Sequence, residues 1–143
     1  MTFPNLIPAI AGLALSLASS SCMNPPKTTF SISKINSKRS PSPISIIDLG
    51  KTFKKFQGLN IETVGRFYFS DEDFSIFAYM DSSTGISKSF WLETNPHLRF
   101  NRRSIEGMNG KLIKIRGVID TTRRGHMNLY LATISGIYFW ELQ

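Results

Sequence analysis

The chain has a single cysteine, Cys22, and only two histidines, His97 and His126. One thiol cannot form an intramolecular disulfide, so a packed core has to hold whatever folds. A protein metal site needs three or four ligands, and two imidazoles with one thiol fall short of a convincing set. No metal and no other cofactor is expected. Also missing are a nucleophile elbow, a paired-carboxylate motif and a phosphate-cradling glycine loop, so nothing in the pattern of residues points to an enzyme. No apolar run approaches the roughly 20 residues that span a bilayer. Charge is absent from the first part of the chain, where the earliest ionisable side chain is Lys27.

In that uncharged region stands "LIPAIAGLALSLA", residues 6 to 18, followed by the small-residue cluster "SSSC". Its length and ending are those of a secretory hydrophobic segment, and Pro4 and Pro8 argue against a buried helix. Cys22 directly follows this segment, at the position of the lipidated cysteine in bacterial lipoproteins. Ser20 and Ser21 suit such a site, whereas Ser19 stands where leucine is usual. Cleavage after Ala18 by an ordinary signal peptidase is the rival reading. The expectation is a signal peptide over 1–22 with a lipobox-like end, anchoring the protein to the membrane through Cys22 on the periplasmic side of a bacterial cell envelope. With cleavage after Ala18, the protein would be soluble in the periplasm or secreted.

Residues 23–43 hold four prolines, five serines, four basic residues and no acid. That composition buries too little apolar surface to offset ordering entropy, and it predicts a disordered tether. Four of the seventeen basic residues lie there, leaving thirteen against ten acids in residues 44–143. The folded part is therefore only mildly basic, which argues against nucleic acid as partner.

From Ile44 onward short apolar runs alternate with turn residues, which predicts one domain over 44–143. A helical or extended turn precedes Gly58. Strands are expected over 61–69, 74–80 and 88–93, separated by "SDED" and "DSSTGIS". A short helical connector follows, ending near Gly107 and Gly110. Two more strands are expected over 111–120 and 127–142, the last bent at Gly136. In the first of these, Ile113, Ile115 and Ile119 face one side and Lys114 and Arg116 the other. Three strands, a helical connector and two strands is the order of an OB-fold, a five-stranded Greek-key barrel. The predicted class is thus all-β, with a small open sheet as the alternative architecture.

The segment "NGKLIKIRGVIDTTRRGHMNLYLATISGI", with Asn109, Gly110, Lys111, Gly117, Gly125, His126, Tyr130 and Ala132, resembles small exported bacterial proteins of uncharacterised function. These are often predicted lipoproteins with OB-like barrels. Trp91 in "FWLE" matches the same group's third strand, and the likeness covers about residues 61–137. It implies a fold and an exported address but no reaction. The turn "TTRRG" is more basic than the group's pattern.

An OB-fold uses the exposed face of its second and third strands as its ligand surface. Here Phe77, Tyr79 and Trp91 fall on one register, with Arg66 and Tyr68 on the neighbouring strand. Ser75 and Ser89 on the Tyr79 side favour it as the outer face, with Phe74, Ile76, Ala78 and Met80 as the competing choice. Arg66, Tyr68, Phe77, Tyr79 and Trp91 are the candidate binding face of a non-enzymatic module for an envelope protein or small ligand. Aromatics beside arginine also suit single-stranded nucleic acid, the alternative function. Gly125 and His126 are expected to be structural: Gly125 to give the turn a positive φ, and His126 to hydrogen-bond the turn backbone.

Overall fold

The computed structural model describes residues 28–31 and 40–143. The signal segment and Cys22 lie outside the described residues. In chain order the elements are β1 (Thr29–Ser31), β2 (Ser42–Pro43), α1 (Ile46–Thr52), a 3-10 turn at Phe53–Phe56, β3 (Asn60–Phe69), β4 (Phe74–Met80) and β5 (Ser87–Thr94). Then come α2 (Arg102–Glu106), β6 (Leu112–Asp120), a 3-10 turn at His126–Asn128 and β7 (Thr133–Leu142).

Five strands close on themselves. β3 pairs antiparallel with both β4 and β6, β4 antiparallel with β5, β5 parallel with β7, and β7 antiparallel with β6. The ring β3-β4-β5-β7-β6 is the OB-fold arrangement, with α2 in the connection between its third and fourth strands. The fold is therefore all-β and barrel-shaped, and the open-sheet alternative is excluded. Closure pairs the strand edges except where β3 and β7 overhang their neighbours, and it also turns one face of each strand inward. On β6 this puts Ile113, Ile115 and Ile119 at 0% exposure and leaves Lys114 and Arg116 outside, following the period-two pattern.

The interior is filled. Trp140 has no exposure; Phe67 and Phe100 meet it edge-on at 5.0 and 5.2 Å between ring centroids, and Phe74 stacks on it at 5.9 Å. Its indole N–H points to the Met108 sulfur at 3.3 Å. Met108, Leu98 and Ile105 come from the connector, so α2 and its flanks belong to the same core as Trp140. Asn101 caps α2 by accepting from the Ser104 N–H at 2.7 Å. At α1, Leu49 and Gly50 are buried, and a Cβ on Gly50 would lie 2.9 Å from the Tyr79 ring. That absence of a side chain lets the helix settle directly on β4.

Two findings modify the expected boundaries. The segment read as a tether over 23–43 contains two docked pieces, β1 and β2. β3 and β7 are each ten residues long and outrun their barrel neighbours, so their overhanging edges accept extra partners. β1 pairs with Phe139–Glu141 of β7, and β2 runs parallel to the start of β3 at Ile61 and Glu62. Phe30 adds an apolar reason, lying 4.9 Å edge-on from Phe100. The last strand begins at Thr133 rather than residue 127, because Met127 and Asn128 take left-handed backbone conformations (φ 52° and 58°) that no ladder accommodates.

Candidate functional site

Two cross-strand rows build the outer wall of β3, β4 and β5. One runs Arg66, Phe77, Ser89; the other runs Tyr68, Ser75, Trp91 and on to Thr133 of β7. Tyr68 is 40% exposed, and its ring meets Phe77 edge-on at 6.5 Å. The Arg66 guanidinium donates to the Gly110 carbonyl, which fixes it at the edge of the patch. Arg66, Tyr68 and Phe77 therefore sit together on the outside, while Ile76 and Ala78 face the core.

Tyr79 departs from this group. Pairing of β4 with β5 slips between Phe77, opposite Ser89, and Tyr79, opposite Lys88. The irregularity breaks the period-two register, and the Tyr79 ring packs under α1 against Gly50 and the core. It is a support for the helix, a correction to its expected place on the binding face.

Trp91 lies in the expected row but is not open. The loop joining β6 to β7 crosses over it. Gly125 has φ 64° and ψ −156°, a region essentially reserved for glycine. A Cβ there would fall 2.5 Å from Trp91 Cβ and Cγ. Beside it the Tyr130 ring lies 5.2 Å from the Trp91 ring, tilted by 58°, and its hydroxyl donates to Asp73 Oδ1 at 3.1 Å.

The two arginines brace this arrangement. Arg123 forms a two-pronged pair with Glu93 (2.6 and 2.8 Å), and its carbonyl accepts from the Thr133 hydroxyl. Arg124 Nε donates to the Tyr130 carbonyl at 2.8 Å, while the Tyr130 N–H donates to the Arg124 carbonyl at 3.2 Å. Asp120 accepts from the Thr122 N–H and hydroxyl, and that hydroxyl is the main reason its pKa falls below the ordinary carboxylate value. The Arg123 pair is exposed, and such pairs add little stability. Arg123→Ala is accordingly expected to leave the thermal midpoint unchanged within error, as read by circular dichroism.

His126 does not play the part expected of it. Its ring is exposed and makes no hydrogen bond to the described residues; only its backbone carbonyl takes part in the turn, accepting from Leu129. Gly125 places the chain so close to Trp91 that the turn is built on the indole instead. Between Trp91, residues 122–126 and Asn128 there is an open pocket of about 370 Å³. Residues treated separately in the sequence, the Arg-Arg-Gly-His turn and the Trp91 platform, thus form one place.

Sequence reasoning missed Tyr130 and Asp73 as members of this site. The aromatic at 130 read as a strand residue, and "SDED" as a turn; only their contact across the barrel wall gives them a shared role. Burial, and then the adjacent Asp73 carboxylate, push the Tyr130 hydroxyl pKa up to about 12. An unfolded tyrosine ionises near pH 10, so the folded protein retains this proton longer. The associated stabilisation is fully present below about pH 10 and is lost as pH rises toward 12. Urea unfolding between pH 9 and 12 is expected to show a steep alkaline decline that Tyr130→Phe makes shallower.

In the same outer row, the Ser75 hydroxyl is buried (1% exposed) and has no hydrogen-bond partner among the described residues. No group of three or more histidine, cysteine, aspartate or glutamate side chains converges among them. Among them, no helix is long and apolar enough to cross a membrane. Comparison of the chain with family models, curated proteins and solved structures returns no match.

Proposed function

We propose that this is an exported envelope protein, anchored through a lipidated Cys22, whose barrel is a non-enzymatic module. It binds an envelope protein or small ligand on the outer wall of β3, β4 and β5. The observation that carries this reading is the contrast between the barrel's two outer walls. On β6 and β7 the outward cations are paired: Lys114 with Glu141 of β7 at 3.5 Å, and Arg116 with Glu62 at the start of β3 at 2.6 Å, its guanidinium also lying 4.3 Å from the Phe139 ring centroid. Further along β3 and on β4 and β5 the outward side chains include Tyr68, which is 40% exposed, Phe77 and, beneath the β6–β7 loop, Trp91, and the interior behind them is packed. Ligand surfaces are where large aromatics are left at a boundary with water.

Nucleic acid is the weaker reading of this wall. Asp71, Glu72 and Asp73 line the β3–β4 turn beside it, and carboxylates repel a phosphate backbone whose attraction depends on cations. The anchoring half of the proposal is tested in cells. The full chain expressed in a bacterium is expected to incorporate labelled fatty acid and sediment with membranes, and Cys22→Ala is expected to do neither. Identical fractionation of both, without label, would remove the anchor.

A further inference from the structure

Tyr130 makes contacts of the kind a sugar makes. Its ring packs against an indole, Trp91, and its hydroxyl donates to a carboxylate, Asp73. Sugars are held by these two means, an aromatic face against the ring and carboxylates accepting from hydroxyls. A third element is in the same row: the Ser75 hydroxyl, opposite Trp91 in the ladder, is buried without a partner among the described residues. A buried polar atom left in that condition is uncommon and asks for an explanation. A ligand hydroxyl would supply the missing bond.

The surrounding charge selects among ligands. Of the acids around the site, Asp71 is paired with Arg102 and Glu93 with Arg123, while Glu72 and Asp73 have no ion-pair partner among the described residues. A carboxylate facing the ligand accepts hydroxyls and disfavours anions, and of the two arginines that line the pocket beside Trp91, Arg123 is neutralised by Glu93 and Arg124 donates to the Tyr130 carbonyl, so the ligand that suits the face is a neutral, polyhydroxylated ring.

The segment bearing Tyr130 is built to leave. Met127 holds a positive φ without being glycine, a costly conformation that persists only while the surroundings impose it, whereas Asn128 beside it is a residue that tolerates the left-handed region. Met127 and Leu129 are 74% and 73% exposed, so the tip contributes little to the core. Backbone bonds of Leu131 and Ala132 to Ser89 and Trp91 fix the C-terminal root of the loop, and ahead of that root the docked state rests on Gly125 and Tyr130 against Trp91, the Tyr130–Asp73 bond, the Arg123–Glu93 pair and the Thr133 hydroxyl on the Arg123 carbonyl.

We infer that the outer face around Trp91, Ser75 and Asp73 is a binding site for neutral saccharides, and that Tyr130 occupies it in the unliganded protein. The inference rests on the outer-wall reading above and narrows its ligand. A ligand that must displace Tyr130 binds with an apparent affinity reduced by the fraction of molecules in which the site is open.

The test uses the full chain and the fluorescence of Trp91, the other tryptophan, Trp140, being fully buried. The probes are chitotetraose, cellotetraose and maltotetraose, with a fifteen-residue oligo-dT as the anionic arm. At least one tetrasaccharide is expected to bind. Tyr130→Ala should tighten that binding by about tenfold and Tyr130→Phe by less, as the competing contacts are removed. Asp73→Asn in the Tyr130→Ala background should weaken it at least severalfold, and Lys114→Ala on the opposite wall should leave it unchanged. Circular dichroism of each variant confirms that the barrel is intact.

Saccharide binding that is unchanged by Tyr130→Ala but lost in Tyr68→Ala would overturn occupation by Tyr130 and leave the outer-wall reading standing. Absence of saccharide binding in both wild type and Tyr130→Ala would overturn the saccharide site. Salt-sensitive binding of oligo-dT in preference to the sugars would overturn the ligand class.

Discussion

Trp140→Ala is expected to lower the unfolding free energy by about 3–5 kcal/mol, the range for removing a large aromatic from a packed core. The magnitude follows from what Trp140 joins. It touches Phe67 from β3, Phe74 from β4 and Phe100 from the connector, and Phe100 in turn holds Phe30 of the docked N-terminal strand. Because Trp140 is fully enclosed, the rigid barrel cannot collapse around the space left, and the Met108 sulfur loses its N–H contact. Urea unfolding followed by far-ultraviolet circular dichroism measures the change. A loss below about 1 kcal/mol, the level of a partly exposed side chain, would mean that the indole is not the centre of the core.

Gly125→Val is expected to cost about 2 kcal/mol through strain in a glycine-only backbone region together with collision against Trp91. The loss is bounded by the docking energy of the β6–β7 loop, because the chain can relieve the collision by lifting off the wall. Two readouts should therefore move together: the unfolding midpoint falls, and iodide quenches Trp91 fluorescence more strongly than in wild type. Arg124→Ala, which removes a single exposed donor, should change stability by no more than about 0.5 kcal/mol. A harmless Gly125→Val beside a costly Arg124→Ala would reverse the assignment and make the arginine the element on which the turn depends.

How much of this was legible in the chain depends on whether the deciding interaction is local. The inward isoleucines of β6 and the three-strand, connector, two-strand order could be read because side-chain alternation is a property of consecutive residues. The displacement of Tyr79 could not, since it arises where β4 meets β5 and nothing in "FSIFAYM" distinguishes a regular strand from an irregular one. The same applies to residues 127–132, whose "MNLYLA" suits a strand by composition. What removes them from the ladder is the approach of Gly125 to Trp91, two segments more than thirty residues apart. Composition likewise predicted a tether over 23–43, because proline and serine cannot form a core; it took no account of the open edges of β3 and β7 or of Phe30 seated beside Phe100. For the candidate site, Arg66, Tyr68, Phe77 and Trp91 follow from strand register, while Tyr130 and Asp73 emerge only when the loop is laid across the wall.

The most direct measurement of the account is hydrogen exchange of the full chain, read by mass spectrometry, with and without the soluble digest of a bacterial cell envelope. If the outer wall of β3, β4 and β5 is the binding face and Tyr130 occupies it, peptides covering 66–79 and 88–93 become protected. Peptides covering 123–130 exchange faster in the same experiment, since the ligand displaces the loop. Protection confined to 112–118 and 137–142 on the opposite wall, or no change in any peptide, would contradict it.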